Sequence, residues 1–100
     1  MLSDRMEGFS TTFWQDFSIA DRFGPTAVKD TFERAFREWR SDYLYLTDLV
    51  CVLNHKMWQH YAAKHEVMAE LYQRLYVEAE CYGRDHLKGE ELEYFWKVLD

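Results

Sequence analysis

Apolar side chains in this chain recur at every third or fourth position along most of its length, and that spacing directs it to helices. The clearest run is Val28, Phe32, Ala35, Phe36 and Trp39, at i, i+4, i+7, i+8 and i+11, which lines one face of a helix. No stretch alternates apolar and polar residues over the length of a strand. The expected fold is therefore all-α, a compact bundle of four to five antiparallel helices.

Local signals place the helix ends. Thr12 and Gln15 have the spacing of a capping box, Phe13, Phe17 and Ala20 share a face, and Gly24 with Pro25 stops a first helix over about residues 12–23. Pro25 also suits the first position of the second helix. Ser41 and Asp42 are cap-type residues for a third, which directs Leu46, Leu49, Val50, Leu53, Met57 and Tyr61 inward. Its first turn, Tyr43 to Leu46, is apolar on every side, which suits a central helix or one that meets a partner. From Asp42 to Tyr82 there is neither glycine nor proline. A break near residues 62–65 rests on typical helix length alone, and one continuous helix is the alternative.

Beyond the break, Met68, Leu71, Leu75, Ala79, Tyr82 and His86 define a fourth helix that runs through Gly83 towards a stop at Gly89. Glu90 and Glu91 suit the positive amino end of a fifth, with Leu92, Phe95, Trp96 and Leu99 inward. One domain over residues 11–100, preceded by a flexible segment over 1–10, accounts for the whole chain.

The formal charge is −6, which opposes direct binding to nucleic acid or to an anionic membrane and favours basic partners. The longest apolar run, Leu49 to Leu53, is far short of the roughly 20 residues a spanning helix needs. The first ten residues lack the apolar stretch of a signal peptide, so a cytoplasmic protein is expected. Cys51 and Cys81 read as reduced thiols.

Chemistry-bearing motifs are few. His55, His60 and His65 are spaced by five, which on a continuous helix turns each about 140° from the last and separates them as ligands. No glutamate stands three residues before a histidine, and His65-Glu66 lacks the second histidine of a zinc-protease helix, because Ala69 occupies that position. Cys51 and His55, one turn apart, could pair a thiol with a base, but the apolar surroundings suit an inert cysteine. No metal, cofactor or catalytic residue is assigned, and the chain is expected not to be an enzyme.

What remains is surface. Residues 78–100 carry Glu78, Glu80, Asp85, Glu90, Glu91, Glu93 and Asp100 against Arg84, Lys88 and Lys97. A rigid acidic face of this kind can stand in for phosphates in the cationic groove of a nucleic-acid enzyme. Arg34, Arg37 and Arg40 form a basic patch among Phe36 and Trp39, partly neutralised by acidic neighbours. Tyr45, Tyr72, Tyr76 and Tyr94 fall beside or outside the inward stripes, where tyrosine serves protein contacts, including a homodimer.

The segments TTFWQDFSIADRFG (11–24), YLTDLVCVLNHKMWQHY (45–61) and LKGEELEYF (87–95) resemble a family of small proteins encoded on conjugative and phage-like elements of gut Firmicutes. The resemblance implies a mobile-element setting and carries over no site residue. In that setting a compact acidic protein is expected to dock on a basic, nucleic-acid-handling host-defence protein as an anti-CRISPR or anti-restriction inhibitor. The alternatives are a homodimeric accessory factor of the element and, third, an enzyme using Cys51 and His55.

Overall fold

The structure is a computed structural model that describes the backbone of residues 2–99 and the side chains of residues 11–99. It contains α1 (Leu2–Phe23), α2 (Pro25–Trp39), α3 (Tyr43–Ala62), α4 (Glu66–His86) and α5 (Glu90–Leu99). The described residues hold helices and no strand, as the spacing requires.

Each junction has a local cause. Gly24 alone separates α1 from α2, at φ 106° and ψ −173°, a region open essentially to glycine. Its N–H donates to the Ala20 carbonyl and its own carbonyl accepts from Val28, so one residue ends one helix and starts the next. Pro25 follows at the first turn of α2, where a missing N–H costs nothing. Asp42 caps α3, its carboxylate accepting from the N–H groups of Leu44 at 3.0 Å and Tyr45 at 3.3 Å.

The glycine-free stretch does break, and where helix length placed it. Lys64 adopts φ 63°, His65 N–H donates to the His60 carbonyl at 2.8 Å, and Lys64 N–H donates to that of Tyr61 at 3.0 Å. That is the paired hydrogen bonding of a Schellman ending, with lysine in the left-handed position usually held by glycine.

α3 packs along each of the other four helices and shares its most extensive contact with α4. Leu46, Leu49, Val50 and Leu53 are fully enclosed, with Phe17, Val28, Phe32, Tyr72 and Phe95 closing around them from α1, α2, α4 and α5. The apolar first turn of α3 thus belongs to a central helix.

Three expectations need correction. α1 starts ten residues before Thr12, which lies inside the helix, so the capping-box spacing marks no helix start. The flexible segment expected over residues 1–10 falls on side chains outside those described. Tyr61 is 39% exposed and donates to Gln73, whereas Val52, Lys56 and His60 of the same helix are buried. The inward edge of α4 is Ala69, Tyr72, Leu75, Ala79 and Gly83, rotated from the stripe drawn through Met68, Leu71, Tyr82 and His86. Leu75 and Ala79 lie on both, while the small residues at 69 and 83 admit close helix contact, which a search for large apolar side chains does not register.

Gly83 shows why. A Cβ built there would lie 2.5 to 2.8 Å from ring atoms of Phe95, a fully buried side chain of α5. Gly83→Ala gains about 1 kcal/mol of helix propensity, but overpacking a closed core costs about 1 to 3 kcal/mol. The variant is expected to melt below the parent in a calorimetric scan, by about 4 to 8 °C for each kcal/mol lost. A melting point above the parent would show that the α4–α5 contact has slack.

Candidate functional site

Among the described residues the interior holds a hydrogen-bonded polar cluster whose members come from three helices. Trp14, Ser18 and Asp21 are one turn apart along α1, and Lys56, Gln59 and His60 share a face of α3. Tyr72 enters from α4. Lys56 is only 2% exposed, and its ammonium donates to Ser18 Oγ at 2.7 Å, Asp21 Oδ2 at 3.1 Å and Gln59 Oε1 at 3.3 Å. Three protons thus meet three acceptors. The Trp14 ring lies beneath the same nitrogen, 4.2 Å from centroid to Nζ, a cation–π contact in a desolvated setting.

Asp21 is the hub. Besides Lys56, its Oδ2 receives His60 Nε2 at 3.2 Å, and its Oδ1 receives the Tyr72 hydroxyl at 2.5 Å. The Tyr72 ring is fully buried, stacks on His60 at 5.3 Å and meets Phe17 edge-on at 5.8 Å. Its pKa is pushed far above the ordinary range, first by burial and then by the hydrogen bond to the Asp21 carboxylate. On its other side, His60 Nδ1 lies 3.3 Å from His65 Nδ1, within hydrogen-bond reach.

This contact corrects the inference from histidine spacing. Five residues separate side chains on an unbroken helix, but α3 ends between His60 and His65, and the Schellman turn brings these two positions together. His55 is exposed elsewhere on α3. Among the described residues no group of three or more His, Cys, Asp or Glu side chains is placed to hold a metal ion.

Cys51 is partly buried beneath α4, and its thiol is pushed up to about 11, by burial first and by the nearby Asp48 charge second. An activated thiol needs the opposite shift. Cys81 accepts a contact from Arg84 at 3.2 Å, and both cysteines are unbridged.

The expected surface groups are distributed over several faces. Arg37 and Arg40 line a groove of about 540 Å³ between α2 and α4 whose opposite wall carries Glu78 and Asp85, so two basic and two acidic candidates face each other there. The groove floor is Phe32, Phe36 and Tyr82, and the Arg40 guanidinium lies 5.9 and 5.8 Å from the last two rings. Arg34 points into a different groove, between α1 and α2. Glu80 is beside Tyr76, whose hydroxyl pKa is raised by burial first and by the Glu80 charge second. Glu90, Glu91 and Glu93 occupy the first turn of α5 and are exposed.

Of the four candidate tyrosines, Tyr72 is a core residue, because its hydroxyl finds the buried Asp21 and its ring can then be enclosed. Tyr45, Tyr76 and Tyr94 are half-buried, with Tyr45 edge-on to Trp39 at 4.3 Å and Tyr94 edge-on to Tyr43 at 5.4 Å. The large apolar side chains that do reach solvent are Ile19, Phe23, Trp58, Tyr61, Val67 and Val77. No helix among the described residues is long and apolar enough to cross a membrane.

Compared with known proteins, the chain matches no family, no curated protein and no solved structure.

Two tests follow from the cluster. Asp21→Ala strands the Lys56 ammonium in the interior and is expected to cost about 3 to 5 kcal/mol in urea unfolding, with Lys56→Met costing less because His60 and Tyr72 still reach the carboxylate. Equal small losses would mean that water already screens the cluster. The second test concerns pH. A thiol whose folded pKa exceeds its unfolded value stabilises the fold while protonated, so the contribution is complete below about pH 9 and is lost as pH rises towards 11. Unfolding midpoints should fall across that window by the equivalent of about 2 to 3 kcal/mol from Cys51 alone, and Cys51→Ala should flatten the fall. An unchanged slope in Cys51→Ala would refute the assignment.

Proposed function

We propose that this chain is a non-enzymatic acidic binding protein of a mobile element that docks on a basic, nucleic-acid-handling host-defence protein and inhibits it. The observation that carries the reading is the disposition of charge. Lys56, the buried lysine or arginine among the described residues, is answered internally by Asp21, while Glu90, Glu91 and Glu93 all face solvent on the first turn of α5, with Lys97 one turn beyond Glu93. Carboxylates held on a short helix have fixed spacing and lose little freedom on binding, which favours a cationic surface built for phosphates. The positive amino end of α5 also stabilises these three charges, so the turn can carry them without fraying.

A second reading, a homodimeric accessory factor, draws on the exposed pair Trp58 and Tyr61, whose rings lie 5.8 Å apart on α3. Aromatic residues left at the surface in contact with each other suit the centre of an interface.

The readings separate in one assay. Purified restriction and CRISPR effector nucleases are incubated with the chain, and DNA cleavage is followed against salt concentration. The inhibitor reading predicts that at least one nuclease is blocked at near-equimolar protein, and that replacing Glu90, Glu91 and Glu93 together by lysine weakens the block at least about tenfold with helicity retained. Inhibition untouched by the charge reversal, or a dimer dispersed by Trp58→Ser with no nuclease inhibited, would reject it.

A further inference from the structure

We propose that the groove between α1 and α2 receives a basic amphipathic helix from another protein. The inference rests on the reading of this chain as a protein-binding module, and it assigns a docking face distinct from the α5 turn. The groove holds about 470 Å³ and opens between two helices joined by the single residue Gly24. Its floor is apolar, and two of its lining residues are among the most solvent-exposed large hydrophobics described, Phe23 at 78% and Ile19 at 55%. Both stand on one edge of α1, four residues apart, so together they form an apolar ridge one helical turn long.

The rim decides the occupant. Among the described residues Asp16, Asp30 and Glu38 border the groove with Arg34 as the cation, which leaves a negative margin around an apolar centre. A helix with apolar anchors at i, i+3 or i+4, and i+7, flanked by lysine or arginine, complements that pattern on both counts. A second copy of this chain would bring its own negative margin and a net charge of −6 to the same place, and like charges face to face oppose docking. The α2–α4 groove carries a weaker bias, since Arg37 and Arg40 there confront Glu33, Glu78 and Asp85.

Leu/Lys and Leu/Glu amphipathic peptides of equal length serve as probes, titrated into the isotopically labelled full chain by NMR. Amide shifts confined to residues 16–38 with the Leu/Lys peptide, weakened by salt and reduced about tenfold or more by Phe23→Ser, are expected. Phe23 is largely in solvent, so this variant should keep its fold, and circular dichroism checks it. Replacing Glu90, Glu91 and Glu93 by lysine should leave the shifts in residues 16–38, so groove binding without nuclease inhibition would retain this inference while removing the inhibitor reading. Equal binding of the Leu/Glu peptide, shifts mapping to α4 and α5, or indifference to Phe23→Ser would overturn it. So would a dimer in light scattering that Phe23→Ser returns to monomer, because the occupant would then be a second copy.

Discussion

The enclosure of α3 governs the rest of the molecule. A helix apolar along most of its circumference has to be covered on most of its sides, and the four other helices do this over residues 46–53, each contributing large side chains to the same core. Enclosure has an electrostatic consequence, because Lys56 sits on that helix and goes inside with it. An uncompensated ammonium in a protein interior is costly by several kcal/mol, so α1 must bring an anion to one particular place. Asp21 is that anion, and by also accepting from His60 and Tyr72 it fixes the register of α1 against α3 and α4. The pair itself adds little net stability over an apolar substitute of the same shape. Its effect is to make other registers of these helices unfavourable.

The fold was legible wherever one strong local rule acted alone. The stripe on α2, the Gly24–Pro25 junction and the Asp42 cap all stand where spacing and capping chemistry put them. The end of α3 had no sequence marker, and lysine adopts the left-handed position there because two backbone hydrogen bonds compensate its strain. The α4 stripe caught Leu75 and Ala79 but missed the rest of the inward edge, which includes Ala69 and Gly83, whose contribution is closeness of approach and not apolar bulk.

The interior cluster was much less legible. Asp21 and Lys56 are 35 residues apart, and each taken alone is an ordinary charged residue of an amphipathic helix. The available signal was phase: Lys56 and His60 continue the three-and-four spacing of Leu49 and Leu53, so a buried charge was implied on that face. The surface candidates show the opposite limit. Net charge is readable from composition, but whether carboxylates gather on one face depends on how helices rotate, and Glu78, Glu80 and the α5 glutamates end up in three different surroundings.

Native-state hydrogen exchange tests most directly whether α3 is the enclosed centre on which the other helices depend. The amides of residues 49–53 should exchange only through global unfolding, with a free energy equal to that from urea titration, while those of α5 open at lower cost. Exchange of the α3 amides at or below the cost measured for α5 would contradict the account.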